Sequence, residues 1–229
     1  MDHSELVERF ISTHFPAASI AVIAGSTSRG ERTASSDIDL LLIGEDLFDD
    51  AGSSMAATYA FGGEIFEVFA YTGAGFEEWA RRSIAQHRPV IVHMLVEGMP
   101  LRTDEEFAAL RAGWSAILAA GPTVEAKELE FRRYVITDVL DDLRDAVDPL
   151  ERQVLAATLF EKTAELMLLT EHRWIGTGKY LPRRLRALGD ERLEELSAPL
   201  LGGDLSRFAD AAERELARAG GRMQAGFTR

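Results

Sequence analysis

The sequence has no cysteine, which excludes disulfides and thiolate metal sites and fits a reducing compartment. It also lacks long apolar runs: the longest, such as Ile20 to Ala24 and Ile38 to Ile43, are strand-length, against the roughly 20 residues a membrane helix needs. No membrane span is expected. No secretory leader is expected either, because Met1-Asp2-His3-Ser4-Glu5 shows no basic start followed by an apolar core, and a cytoplasmic location follows. Basic charge is scarce. Lysine and arginine number 25 against 38 acidic residues, a formal net charge of −13. The shortfall sits in the first half, where residues 1–121 hold 8 basic and 18 acidic side chains, while 122–229 hold 17 and 20. Such a field repels polyanions, so nucleic acid is a poor partner and a cationic small molecule a better one.

Apolar content is ample, at 46% of 229 residues, enough for one large domain or two small ones. Leu6, Val7, Phe10 and Ile11 recur at helical spacing and predict an opening helix over residues 2–14, ended by Pro16. Ile20 to Ala24 and Ile38 to Ile43 read as buried strands, and Met55 to Phe61 and Ile65 to Tyr71 flank Gly62-Gly63 as an antiparallel hairpin. The sheet is therefore mixed. Helical patterns cover about 75–97 and 105–119, with an extended piece at Met99 to Arg102 between them. At Gly121-Pro122 the strand-like runs stop and the rest reads as helix, which predicts domains at 1–121 and 122–229, the second a helical bundle. Asp148-Pro149-Leu150-Glu151 starts a long helix expected to run to about Arg173.

The chemistry concentrates between the first two strands, in Gly25-Ser-Thr-Ser-Arg-Gly-Glu-Arg-Thr-Ala-Ser-Ser-Asp-Ile-Asp-Leu40. Gly25 lets the backbone approach a ligand, Ser26 offers a hydroxyl and an amide, and the turn leads towards a helix N-terminus, which together suit a phosphate. It is not a Walker loop, since Glu31 stands where that motif needs lysine. Asp37 and Asp39, two apart on a strand, point to one face. Like charges entering a buried sheet call for a cation, and oxygen-only ligands select a hard one, most simply magnesium. The competing reading is two acids capping a turn. Glu67, interrupting the apolar run Ile65 to Tyr71, is the third carboxylate, with a surface-facing Glu67 as the alternative; Glu64 beside the turn is taken as exposed.

Gly25-Ser26-x-x-Arg29-Gly30 with Ser36-Asp37-Ile38-Asp39-Leu40 resembles the signature of the DNA polymerase β-like nucleotidyltransferase superfamily, in the form seen in minimal nucleotidyltransferases and kanamycin-type antibiotic nucleotidyltransferases. The motif covers about 20 residues, and the strand with Glu67 and the helical second half agree with the antibiotic-modifying layout. The resemblance implies an α+β fold, with an N-terminal mixed-sheet nucleotidyltransferase domain followed by an all-α bundle. It implies an ATP- or other NTP-dependent transferase with two magnesium ions held by Asp37, Asp39 and Glu67, nucleotide contacts from Gly25, Ser26, Arg29 and Ser36, a small-molecule acceptor, antibiotic resistance as an outcome, and a homodimer as an option. Glu67 departs from the aspartate common at that position. Modification of a protein or tRNA, as in toxin-antitoxin systems, and a non-catalytic nucleotide-binding module are the other readings.

In the second half, residues 172–189 carry Arg173, Lys179, Arg183, Arg184 and Arg186 and no acid. Lys179, in Gly176-Thr-Gly-Lys179, is the candidate for neutralising the β- and γ-phosphates, against a solvated basic helix. Asp138, Asp141, Asp142 and Asp145 form an acidic stripe on a helix whose Val135, Val139, Leu140 and Leu143 should face the core; it is either a wet face or, by resemblance, the source of a base on the acceptor. Arg82 and His87 have an Arg-x4-His spacing set aside as chance, His93 is expected in the core, and Trp174 and Tyr180 are expected to pack.

Overall fold

The computed structural model describes residues 3–33, 36–48 and 52–224, so residue 2 of the expected opening helix and residues 34 and 35 of the glycine-serine segment lie outside the described residues. The chain divides into two compact units, Met1–Ala120 and Gly121–Arg229. The fold is α+β, with a mixed five-stranded sheet in the first unit and helices in the second.

The first unit runs α1 (His3–His14), β1 (Ile20–Ile23), a single helical turn α2 (Gly25–Ser28), β2 (Ile38–Ile43), β3 (Ser54–Phe61), β4 (Glu64–Tyr71), α3 (Gly73–Ala85), α4 (Val90–Glu97), β5 (Met99–Arg102) and α5 (Phe107–Ala120). Strand order is β3-β4-β2-β1-β5. β2 and β4 are parallel and the other neighbours antiparallel. The β3–β4 hairpin pairs Phe61 with Glu64 around Gly62 and Gly63, at φ 61° and 87°. A two-residue primed turn needs positive φ at both positions, which glycine adopts without steric penalty. The extended piece Met99–Arg102 joins the sheet as an edge strand beside β1, where Pro100 is tolerated. The helical stretch expected over 75–97 is two helices. His87 takes a left-handed φ of 58° and Pro89 disfavours helix at Arg88, so the chain breaks between Ala85 and Val90.

Alternation along the strands sorts side chains onto two faces. Ala21, Ile23, Leu40, Leu42, Phe66, Val68 and Ala70 pack against α1, where Phe10 stacks on Phe66 at 4.2 Å between ring centroids. Val22, Leu41, Ile43 and Tyr71 pack against Phe76, Val92, Leu95 and Trp114 of α3, α4 and α5. That second face is covered only towards the C-terminal ends of β2 and β4. Leu41 and Tyr71 are buried, Asp39 is half-buried, and Ile65 and Glu67 are exposed. The apolar run around Glu67 therefore does not bury it, because Phe66, Val68 and Ala70 face α1 while Glu67 faces the open end of the other side.

The second unit contains α6 (Ala126–Asp145), α7 (Pro149–Thr170), α8 (Tyr180–Leu185), a 3-10 turn (Arg186–Leu188), α9 (Asp190–Leu201) and α10 (Leu205–Arg218). Asp148 caps α7, its carboxylate accepting from the amides of Leu150 and Glu151 at 2.9 Å, with Pro149 in the first turn. α7 ends at Thr170, short of the expected Arg173. Its core is built from Ile136, Leu140, Leu159, Leu166, Phe208 and Leu216, so α6 buries Ile136 where Val135 was expected. Among the described residues no helix is long and apolar enough to cross a membrane.

Candidate active site

Parallel pairing of β2 with β4 sets Asp39 directly beside Glu67, on the face that α3–α5 leave open. Asp37 stands one residue before β2 rather than within it and is exposed. From the other side, β1 delivers Gly25: the Ala24 amide donates to the Asp39 carbonyl at 2.8 Å. Gly25 has φ 65°, and a Cβ there would lie 1.6 Å from Asp39 Oδ2. Only glycine admits that carboxylate and that backbone together.

The Glu67 carboxyl is held above the ordinary glutamate range. Partial desolvation contributes most, followed by the negative charge of Asp39, a hydrogen bond shared with Asp39, and the charge of Asp37. The three predicted carboxylates thus sense one another. Neither Asp37 nor Glu67 forms an ion pair with an arginine or lysine among the described residues. The three are drawn together but are not a ready-made cage: among the described residues no group of three or more His, Asp or Glu side chains is set to hold a metal ion.

The other predicted residues fare differently. Ser26 is half-buried in α2, and its hydroxyl makes no hydrogen bond with another described residue. Arg29 is turned to Glu31, Nε to Oε2 at 3.0 Å, an exposed pair of little strength. Ser36 faces its own loop: its Oγ accepts from the Thr33 amide at 2.9 Å and lies 3.0 Å from Thr33 Oγ1. Lys179 belongs to the second unit and sits 5.7 Å from the centre of the Tyr180 ring. Of the acidic stripe, Asp141 is engaged by Arg222 and, at 2.9 Å, by Gln224 of the C-terminal tail, while Asp138, Asp142 and Asp145 are exposed. Trp174 is buried, and Tyr180 is half-buried beneath Lys179 and Arg183. His93 is half-buried: Nδ1 pairs with Glu97 Oε1 at 2.7 Å, one helical turn away, while Nε2 is enclosed with no hydrogen-bond partner among the described residues.

Two features escaped sequence reasoning. Thr58 on β3 is the cross-strand partner of Glu67 and extends the row Asp39, Glu67 to the sheet edge. Arg32, unremarked in the loop, binds Glu64 Oε2 at 2.5 Å and the Ser36 carbonyl at 2.9 Å. Glu64 is accordingly half-buried and paired rather than free beside its turn. Opposite charges 32 positions apart gave the only signal, and it becomes legible once the strand register is known.

No family model matches the chain, and no curated protein matches its sequence. Among solved structures, a nucleotidyltransferase-like protein from Exiguobacterium sibiricum 255-15 superposes with a TM-score of 0.50 at 14% identity, over 95% of this chain and 74% of that one. The likeness is one of fold: this chain has a nucleotidyltransferase-like fold.

Proposed function

We propose that the chain transfers a nucleoside monophosphate, AMP from ATP in the simplest case, to a hydroxyl of a small cationic acceptor such as an aminoglycoside, releasing pyrophosphate. The observation that carries this reading is the facing of Asp39 and Glu67 across β2 and β4, with Gly25 pressed against Asp39 and the charge of Asp37 reaching Glu67. The donors are carboxylate oxygens, the set hard divalent ions prefer, and a cation would offset the negative charge that Asp39 and Asp37 bring to Glu67. Asp37, Asp39 and Glu67 would hold two magnesium ions. When bound, such ions lower the pKa of an acceptor hydroxyl and neutralise charge developing on the phosphates.

In the transfer itself the acceptor oxygen bonds to the α-phosphorus, the bond from phosphorus to the bridging oxygen breaks, and pyrophosphate leaves with that electron pair. The acceptor proton passes to a carboxylate or to water. Ser26 orients the triphosphate through its hydroxyl, which makes no hydrogen bond with another described residue. Arg29 can leave Glu31 for a phosphate, because an exposed pair contributes only about 0–1 kcal/mol. Lys179 is the proposed cation from the second unit. The acidic first half of the chain favours a cationic acceptor over a polyanionic one. Such an activity would confer drug resistance.

The test is incubation with ATP labelled at the α-phosphate, with magnesium, against a panel of aminoglycosides, lincosamides, proteins and tRNA. Label on a small amine-bearing acceptor, lost on chelation and lost by about 10³-fold in Asp39→Ala, is the expected result. Label only on protein or tRNA would replace the acceptor class, and nucleotide binding without transfer to anything would leave a binding module.

A further inference from the structure

We propose that Arg32 is a positioning residue that clamps the carboxylate-bearing ends of β2 and β4 together and so fixes Asp37 for cation binding, an inference that rests on the nucleotidyl-transfer reading. The sheet ladder holds Asp39 and Glu67, whose backbones lie inside β2 and β4. It does not hold Asp37, since pairing begins at Ile38 opposite Phe66. Beyond the ladder the Thr27 hydroxyl donates to the Asp37 carbonyl at 3.5 Å, at the limit of a hydrogen bond, and one guanidinium ties that end of β2 to β4. Arg32 Nη2 donates to the carbonyl of Ser36, the residue before Asp37, at 2.9 Å, and to Oε2 of Glu64, the first residue of β4, at 2.5 Å. Both acceptors are three residues from a proposed cation ligand, Ser36 before Asp39 and Glu64 before Glu67.

The same loop is also closed by Ser36 N to Thr33 O at 3.1 Å and Thr33 N to Ser36 Oγ at 2.9 Å, so Arg32 is not required merely to shape the turn. The position is also an unfavourable one for a residue serving stability alone. The Arg32 side chain is only 19% exposed, and its Nη1 is enclosed with no hydrogen-bond partner among the described residues. An enclosed donor left unpaired is destabilising, and an apolar side chain would avoid it. The planar guanidinium nevertheless directs two bonds from Nη2 in one fixed plane, to Ser36 before β2 and to Glu64 of β4, whereas an apolar side chain makes none and an ammonium has no such fixed plane. Groups that orient metal ligands without touching the metal typically change affinity by about 10- to 100-fold when removed.

The experiment measures Mn2+ binding to the full chain by calorimetry, with no nucleotide or acceptor, for the wild type, Arg32→Met, Arg32→Lys, Glu64→Gln and Asp39→Ala, alongside thermal melting and binding of a fluorescent nucleotide in chelator. Arg32→Met should weaken Mn2+ binding by about 10-fold or more, and Glu64→Gln, which keeps the arginine and its bond to Ser36, by less. Arg32→Lys should melt like the wild type yet stay weak for Mn2+, a separation that a purely structural role does not produce. Nucleotide binding in chelator should be unchanged in all three. Unchanged Mn2+ affinity in both Arg32→Met and Glu64→Gln overturns the clamp alone, as does loss of nucleotide binding with Mn2+ binding intact, which would make Arg32 a phosphate ligand. If the wild type has no Mn2+ binding that Asp39→Ala removes, the transfer reading falls and the clamp with it.

Discussion

In the second unit Glu165 and Glu215 are 2% and 4% exposed, and each meets cations: Arg132 at 3.0 Å and Lys162 at 3.8 Å for the former, Arg192 at 2.7 Å and Arg218 for the latter. In the first unit Glu67 is exposed, and the charges acting on it are those of Asp39 and Asp37. Where burial of charge serves the fold, the fold pairs it, because an unpaired buried carboxylate is strongly destabilising. The row on β2 and β4 is arranged the other way. Acids are collected at the open end of a sheet where solvent still relieves them, which suits a partner that arrives from solution. The same contrast appears between glutamates on the surface. Glu213, bonded first by Arg144 and also by Arg222, is held below the ordinary range, whereas Glu67 is held above it.

The largest effect expected from this contrast is on stability. Arg132→Met removes the guanidinium 3.0 Å from the buried Glu165 and should lower unfolding free energy by about 3 kcal/mol, read as a shift in urea midpoint. Glu67→Gln in the same assay should be neutral or slightly stabilising in the ion-free protein. A comparable loss in both would mean that the first unit's acids are as structural as the second's. The next test sharpens the geometry. Gly25→Ala and Gly30→Ala both place a side chain at positive φ, 65° and 68°, but only the Gly25 Cβ meets Asp39, while at Gly30 nothing lies within 4 Å. Both should lose about 1 kcal/mol to backbone strain. Only Gly25→Ala should also slow pyrophosphate release, by about 10²-fold, since a displacement of about 1 Å at a reacting centre has that effect. Equal rates in the two variants would show that the crowding of Asp39 has no bearing on the chemistry.

How much of this was legible beforehand follows the range of the interactions. Local signals were readable: Gly62-Gly63 between two strand runs, Asp148-Pro149 at the start of α7, and the glycine-serine element before Asp37-x-Asp39 each encode a conformation within a few residues. The break at His87 to Pro89 was missed because the apolar spacing runs through it, and one left-handed residue is not visible in periodicity. Resemblance assigns Arg29 and Ser36 to the phosphates, whereas their hydrogen bonds run to the short-range partners Glu31 and Thr33. The bond of Arg32 to Glu64 depends on the register of strands far apart in the chain. The burial of Glu67 was overestimated because strand composition reports apolar neighbours and not which face a helix covers.

The smallest effect concerns the proton on Glu67. A carboxyl whose pKa is higher folded than unfolded binds its proton more tightly in the native state. Its contribution to stability is therefore full below the ordinary glutamate range and is lost as pH rises through the raised native value. In chelator, wild-type melting temperature should fall across that window relative to Glu67→Gln, whose amide does not titrate. Parallel profiles would remove the contact between the two acids. Magnesium should reverse the slope in the wild type, because a cation competes with the proton and gains as the proton leaves, so the stabilisation by magnesium should grow with pH over the same window and be absent in Glu67→Gln. A magnesium response indifferent to pH there would place the ion somewhere other than between these strands.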